Sequence, residues 1–329
     1  MAFVSPLYAE EGFSGSARIG GSYNSNIPLL STLEKESGLA VIEGEQDPGG
    51  VVAHSGLTFS YSFLDSDDLF LSSSYLISLD APPNFLAYSY LYQSFIFDVG
   101  YTVDYIMLSL LIIPRFVMTD ISSPAPYYWD VAGYFDFFAL ESDNWATGVT
   151  LGVDRYDSLN SDVQYLQGIV LSGELAQYWY PTGGKSYISL SAFGDRAWFP
   201  SFENVADSLL KVNYGNAGGG AKIAAKIYLK PSLYLYASAR IKRWIYDEED
   251  KWLAADEASG EIENIFVKKR GDMSQHYSIS LDYKFTESWE VELFGGFIKN
   301  GSNLGEDELD YIDRRYEQII SGTAIEYFF

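Results

Sequence analysis

The feature that most constrains this chain is an alternation of apolar and polar side chains that recurs from one end to the other. In a β-strand successive side chains point to opposite faces, so a period of two gives each strand one apolar and one polar face. The pattern is clearest near residues 57–63, 69–79, 145–154, 233–242, 276–285 and 289–297. No comparable stretch keeps the three-and-four spacing of an amphipathic helix. The sequence therefore predicts an all-β protein.

The alternation divides the chain into about fourteen strands, joined by connectors of two length classes. We place the strands at 12–24, 51–63, 69–79, 85–97, 103–117, 127–140, 145–156, 163–179, 186–198, 209–228, 232–246, 273–285, 289–299 and 312–329. Short turns follow even-numbered strands, at 65–68, 141–144, 181–185, 230–231 and 286–288. Longer connectors mostly follow odd-numbered strands, at 25–50, 80–84, 118–126, 200–208, 247–272 and 300–311.

This alternation of connector length favours a closed antiparallel transmembrane β-barrel. Outer-membrane barrels have an even strand number, short periplasmic turns and long extracellular loops. A soluble β-sandwich also alternates apolar and polar residues, but it does not predict connector length that follows strand parity. Most of the predicted strands are also about twice the usual soluble length of about 5–6 residues. Aromatic residues make up 17% of the chain, as expected where rings sit at a membrane–water boundary.

Composition excludes several other classes of protein. The net charge of −24 argues against a nucleic-acid partner, because phosphate binding needs a basic surface. The absence of cysteine excludes a disulfide framework and a thiolate metal site. The longest apolar run, at 106–113 and broken only by Ser109, is shorter than the roughly 17 to 25 residues of a spanning helix. No cofactor is predicted.

Both ends of the sequence fit export to an outer membrane. Residues 1–9, which end in Leu-Tyr-Ala before two glutamates, resemble the tail of a cleaved secretory signal, and 10–329 form a single predicted barrel domain. The last residues resemble the C-terminal signal of bacterial outer-membrane proteins, with Ile325, Tyr327 and Phe329 on one apolar face. That resemblance implies recognition by the barrel insertion machinery and a porin-like, integral position in outer-membrane lipid.

A second resemblance lies near the N-terminus. Gly20-Gly21-Ser22-Tyr23-Asn24-Ser25-Asn26-Ile27 is similar to the Gly-Tyr-Asp-Ser-Asn-Val opening of barrels that follow tetratricopeptide repeats, as in the surface lipoprotein assembly modifiers. Those barrels have fourteen strands, which matches the count here. The resemblance implies a role in secretion or surface display. Asn24 stands in place of the family's Asp, and no helical repeat precedes the barrel in this sequence.

The predicted inward faces carry the candidate functional residues, as opposed basic and acidic rows that would impose a transverse field on a polar solute. The basic row consists of Lys222, Lys226, Arg240, Lys242 and Lys284. The acidic rows consist of Asp136, Asp154, Glu174, Glu290 and Glu292. We therefore predict a channel that passes small polar solutes or an exported polymer. An assembly barrel that anchors a periplasmic or surface protein is the alternative, and an outer-membrane hydrolase is the third.

Chemistry of other kinds finds little support in the sequence, so the protein is predicted not to be an enzyme. The two histidines are His54 and His276, and His276 lies near serines and Asp282, but no triad can be assembled from spacing. The acidic clusters at 247–250 and 306–308 lack the spacing of a calcium loop, so no metal is predicted. The fifth strand is apolar on both faces, which predicts an apolar patch on the lumen wall or a cover over it.

Overall fold

The computed structural model describes residues 12–26, 49–66, 68–84, 86–119, 125–159, 167–181, 185–199, 202–204, 209–212, 215–255, 262–303 and 316–329. Its strands are β1 (Gly12–Asn24), β2 (Gly50–Asp65), β3 (Leu69–Ala81), β4 (Tyr90–Val103), β5 (Ile106–Thr119), β6 (Ala125–Ser142), β7 (Trp145–Ser158), β8 (Gly168–Trp179), β9 (Tyr187–Trp198), β10 (Phe202–Asn204), β11 (Leu209–Val212), β12 (Asn216–Lys230), β13 (Leu233–Ala255), β14 (Ile262–Lys284), β15 (Trp289–Ser302) and β16 (Tyr316–Phe328). The proposed signal remnant at 1–9 lies outside the described residues.

The strands form one closed antiparallel barrel. Each of β1 to β9 pairs with its neighbour in sequence, β9 pairs with β12, and β12 to β16 continue the wall. The barrel closes between β1 and β16, from Ser16 opposite Phe328 to Asn24 opposite Ile320. The prediction of a fourteen-stranded antiparallel barrel is confirmed. Closure leaves no open sheet edge along the wall, as a membrane-spanning sheet requires.

The wall differs from the prediction beside the longest connectors. The predicted strand 209–228 is divided into β11 and β12, because β11 pairs with the upper part of β13 and leaves the wall to β12. Within the predicted loop 247–272, residues 247–255 and 262–272 are strand, since β13 and β14 remain paired beyond the barrel wall. Charged residues do not oppose pairing there, because backbone hydrogen bonds form the ladder and the segment lies beyond the apolar belt of the barrel.

The fourth and fifth strands also have shifted boundaries. A 3₁₀ turn at Leu86–Tyr88 precedes β4, which therefore starts later than the predicted residue 85 and continues to Val103. The connection to β5 is a two-residue turn in which Asp104 has a φ of 52°. An Asp tolerates this left-handed conformation better than most residues do. Residues 98–102, between the two predicted strands, are therefore strand.

The segment that resembles the repeat-associated barrels ties the first strand to the last. The Asn24 side-chain oxygen accepts hydrogen bonds from the Asn26 backbone N–H at 2.9 Å and from the Gln318 amide at 3.0 Å. The Ser25 hydroxyl oxygen accepts the Ile319 backbone N–H at 2.8 Å, and Ile319 O accepts the Ser25 N–H at 2.9 Å. Asn26 is fully buried. These bonds hold the barrel seam closed at its long-loop end.

The outer surface is an apolar belt. Outward side chains such as Ile19, Leu175 and Leu190 are 68%, 57% and 63% exposed. At the short-turn end, Trp289 contacts Tyr327 at 4.8 Å between ring centroids, and Phe329 continues the aromatic row to Phe13. Such exposed apolar bands with aromatic edges face lipid. Within the described part of the chain, no helix has the length and apolar character to cross a membrane.

Candidate functional site

The strand register places all ten predicted lumen residues on inward-facing positions. Inward and outward residues alternate along every strand, and the pairing carries the same alternation around the closed wall. The basic residues lie on β12, β13 and β14. The acidic residues lie on β6, β7 and β8 to one side and on β15 to the other. The basic and acidic rows therefore flank one another around the wall and do not face each other squarely across the lumen.

Two of these carboxylates, Asp136 and Asp154, have side-chain partners within the wall from β5 to β7, and for Asp154 the partner is a cation. Arg115 donates from Nε to Asp130 at 2.5 Å and from Nη2 to Asp154 at 2.8 Å. The Tyr134 hydroxyl also donates to Asp154, at 3.0 Å, and the Thr150 hydroxyl donates to Asp136. Because Asp130, Asp136 and Asp154 are all buried, this network fixes three strands to each other. Asp136 and Asp154 are thereby committed to structural contacts.

Two other predicted charges have close partners of opposite sign. Lys242 forms an ion pair with Asp195 on β9. Glu292 forms an ion pair with Arg18 on β1, and Glu326 lies 3.8 Å from the same guanidinium. Sequence reasoning did not identify Arg18, Arg115 or Asp195, although each lies on the inward parity of its strand. The odd or even position of each residue along its strand was enough to predict that its side chain faces the lumen. Which partner it meets depends on the register between strands.

The middle of the lumen wall keeps two cations without an acidic partner. Lys222 on β12 lies directly opposite Arg240 on β13. The Arg240 guanidinium lies over the Phe193 ring, 4.3 Å from its centroid. Neither cation forms an ion pair with a carboxylate in the described residues. Like charges opposite one another on neighbouring strands repel, so this pair costs stability unless something neutralises it.

A recess of about 260 Å³ surrounds this cation pair. Besides Lys222 and Arg240, it is lined by Glu174, by hydroxyl-bearing side chains and by aromatic rings. The hydroxyl and aromatic residues include Thr150, Ser172, Ser189, Ser191, Tyr178, Tyr187 and Tyr236. Glu174 makes no ion pair with any residue that the structure describes. The recess therefore offers both signs of charge beside rings and hydroxyls.

The short-turn mouth of the lumen carries the remaining predicted charges. Glu290 lies opposite Lys284 on one side and Glu326 on the other. The Lys284 ammonium lies 5.3 Å from the centroid of the Phe328 ring. Lys226 lies over Tyr234, 4.7 Å from its centroid. This mouth thus mixes acidic residues with lysines that rest on aromatic faces.

Inward aromatic rings lie against glycines of the neighbouring strand at several places on the wall. Tyr134 is opposite Gly152, and the ring lies so close that a Cβ atom on the glycine would be 2.8 Å from it. Other directly opposed pairs are Phe70 with Gly100, Phe193 with Gly220, Trp244 with Gly218, and Phe294 with Gly322. Because glycine has no side chain, each ring can lie along the wall and does not project across the lumen.

The structure places His54, and not His276, in a serine–histidine–aspartate chain. The His54 Nε2 and Ser22 Oγ atoms are 2.7 Å apart, and His54 Nδ1 lies 2.6 Å from Asp80 Oδ1. Three adjacent strands, β1 to β3, bring these residues together. A recess of about 230 Å³ touches His54 and Asp80 but not Ser22, which is buried. A nucleophile must be reachable by substrate, so the chain is best interpreted as a cross-strand hydrogen-bond network.

The remaining predicted features also have defined positions. Met107, Leu111 and Ile113 of β5 face inward and are half-buried, so this part of the lumen wall is apolar. Ile325, Tyr327 and Phe329 share the outward face of the last strand and are 42%, 38% and 49% exposed. Their recognition by an insertion machinery stays a prediction. Among the described residues, no group of three or more His, Cys, Asp or Glu side chains is arranged to hold a metal ion.

Comparisons with known proteins return similar structures only. No family model matches the sequence, and no curated protein matches it. OmpT, an outer membrane protein of Vibrio cholerae, is similar at 12% identity and a TM-score of 0.43, over 98% of this chain and 99% of that one. The Pseudomonas putida toluene transporter TodX is similar at 9% identity and a TM-score of 0.46, over 97% and 90% of the two chains.

A third similar structure is an outer membrane channel from Pseudomonas putida F1, at 10% identity and a TM-score of 0.46, over 99% of this chain and 98% of that one. Likeness at this level says nothing about what the present chain transports or binds. The fold rests on the strand pairing itself. The closed fourteen-stranded wall and its exposed apolar belt identify the protein as an integral outer-membrane β-barrel.

Proposed function

We propose that the barrel is a channel that passes small polar solutes through its lumen, along the wall formed by β12, β13 and β14. The observation that carries this proposal is solvent exposure inside the barrel. Arg240, His276 and Ser278 all face inward, and all three are nevertheless exposed. A lumen filled by side chains would bury them, as the small barrels do.

The path is polar and charged at mid-height. Lys222 lies near the middle of β12 and Glu174 near the middle of β8, and both face the recess beside Arg240. Charged side chains that line a water-filled passage favour polar solutes over apolar ones. The aromatic rings that rest on glycines keep this passage wide enough for water.

Single-channel recording in a planar bilayer tests the proposal. The purified protein is expected to give discrete ion currents, because the proposed path is lined by exposed polar and charged side chains. Ser278→Trp places a large ring in the path and is expected to lower the conductance at least about twofold. Ile279→Trp is the matched control, since the neighbouring residue is 54% exposed on the outer face. An assembly barrel that anchors a partner would show no ion-permeable state.

Equal conductance in the two tryptophan variants would contradict a path along β14. A complete absence of current from correctly folded protein would contradict the channel itself. Folding is checked for each variant by its far-ultraviolet circular dichroism, since the wall is almost entirely strand. The proposal therefore has separate tests for the pore and for its position.

A further inference from the structure

We propose that the recess at mid-lumen is a binding subsite for a carboxylated monosaccharide, a sugar acid. This inference rests on the proposed channel function, because it names the class of solute that the channel would select. It is carried by the pairing of Lys222 with Arg240, by the single unpaired carboxylate of Glu174, and by the rings and hydroxyls between them.

The two cations indicate the charge of the ligand. Lys222 and Arg240 are directly opposite each other, and no described carboxylate neutralises either of them. The nearby Asp195 is already paired with Lys242. A ligand carboxylate between the two side chains would accept charge-assisted hydrogen bonds from both and relieve their repulsion. A guanidinium is well suited to this role because it presents a planar fork of donors.

Glu174 and the serines indicate that the ligand also carries hydroxyl groups. An ionised carboxylate only accepts hydrogen bonds, so Glu174 calls for ligand donors such as sugar hydroxyls. Ser172, Ser189 and Ser191 can both donate and accept, which suits a molecule that carries several hydroxyl groups. A simple inorganic anion would leave Glu174 without a partner and would be repelled by it.

The aromatic residues and the volume indicate the size. Tyr178 and Tyr187 contact each other at 5.8 Å between centroids and both line the recess, as does Tyr236. Aromatic faces cover the apolar C–H face of a pyranose ring at low cost in conformational entropy, because each side chain has few rotatable bonds. Pockets for drug-sized ligands occupy about 300–1,000 Å³. The recess of about 260 Å³ therefore accommodates one sugar unit.

The test is isothermal titration calorimetry of the full chain in detergent micelles at low salt, with three probes. Sodium glucuronate has the carboxylate and the hydroxyls, glucose lacks the carboxylate, and hexanoate lacks the hydroxyls. Glucuronate is expected to bind at least about tenfold more tightly than either of the others, because each loses one class of hydrogen bond. Equal binding of glucose and glucuronate would overturn the proposal, and so would an absence of glucuronate binding.

Variants locate the binding in the recess. Lys222→Met is expected to weaken glucuronate binding about tenfold, and Lys222→Arg, which retains the charge, is expected to restore most of it. Lys226→Met is the matched control, because it removes a lumenal ammonium that lies over Tyr234 outside the recess. An equal loss in Lys226→Met would show a general charge effect and overturn the subsite.

Failure of the subsite and failure of the channel give different results. Calorimetry does not require conduction, so a protein that binds glucuronate but passes no current would keep the subsite and lose the channel. A protein that conducts but does not bind glucuronate would keep the channel and lose the subsite. Block of the single-channel current by glucuronate, with no block by glucose, supports both together.

Discussion

Two parts of the lumen wall treat charge in opposite ways. Between β5 and β7, inward carboxylates such as Asp130 and Asp136 are only 1% and 4% exposed, and hydrogen bonds from Arg115 and Thr150 hold them. Between β12 and β14, inward residues such as Arg240 remain exposed to the lumen. The first wall uses charge to join strands. The second leaves charge exposed in the lumen.

The comparison predicts its largest effect on stability at Arg115. Arg115→Met would leave the carboxylates of Asp130 and Asp154 buried without their cation. Breaking a buried pair by removing one partner costs about 3–5 kcal/mol. The free energy of unfolding, measured by urea titration in detergent micelles, is expected to fall by about that amount.

A neutral variant of the whole network separates charge from packing. Arg115→Met combined with Asp130→Asn and Asp154→Asn removes both buried charges along with their partner, and it is expected to recover part of the lost stability. No recovery in the triple variant would mean that the arginine acts by its volume. The interpretation that ion pairs of Arg115 hold these strands together would then be wrong.

A smaller effect is expected at a glycine of the same wall. A Cβ atom in Gly152→Ala would lie 2.5 Å from the Ser172 hydroxyl oxygen and 2.8 Å from the Tyr134 ring, so the ring must turn toward the lumen. Overpacking of this kind costs about 1–3 kcal/mol of unfolding free energy. Single-channel conductance is expected to fall as well. Gly133→Ala is the matched control, because its added Cβ meets Val153 at an ordinary 3.6 Å.

The smallest effect on stability is expected on the exposed wall. Replacing both Lys222 and Arg240 by Gln removes no ion pair seen in the described residues and relieves the repulsion between the two cations, so the free energy of unfolding should rise by less than about 1 kcal/mol. The reversal potential in a salt gradient is expected to shift toward cation selectivity, because two lumenal cations are lost. A large loss of stability with unchanged selectivity would reverse the assigned roles of the two walls.

The sequence predicted the barrel well because closure in a membrane imposes rules on local pattern. Each strand must alternate apolar and polar side chains and must be long enough to span the bilayer. Short turns must join the strands at one end of the barrel. These rules gave β1 the bounds 12–24 that the structure shows, and they gave the inward direction of Lys222 and Glu174. Whether a side chain faces inward or outward depends on its odd or even position in the strand, and the sequence of one strand is enough to show this.

The pattern was less informative outside the membrane, where no such rule applies. It was also less informative for contacts between side chains of different strands, which depend on strand register. The hairpin of β13 and β14 continues beyond the apolar belt, so its charged residues were mistaken for a loop. Arg115 meets Asp154 across β6, two strands away, and only the relative register of three strands brings them together. Strand register also decides which histidine has polar partners. The sequence placed His276 near serines and Asp282, whereas His54 is the histidine that contacts both a serine and an aspartate.

The rings that rest on glycines have a consequence for how such a protein diverges. A single base change turns a glycine codon into one for alanine. At Gly100 and Gly152 the atoms nearest to the added methyl group belong to side chains, so the neighbouring ring would move and the backbone ladder would be retained. Substitutions at Gly100 and Gly152 would therefore change the width of the lumen in discrete steps while the strand pairing is retained. At Gly220 and Gly322 the same methyl group would lie 2.0 Å and 2.5 Å from a backbone oxygen. In descendants of this gene, we expect substitutions at Gly100 and Gly152 to change the permeability earlier than substitutions at the charged residues.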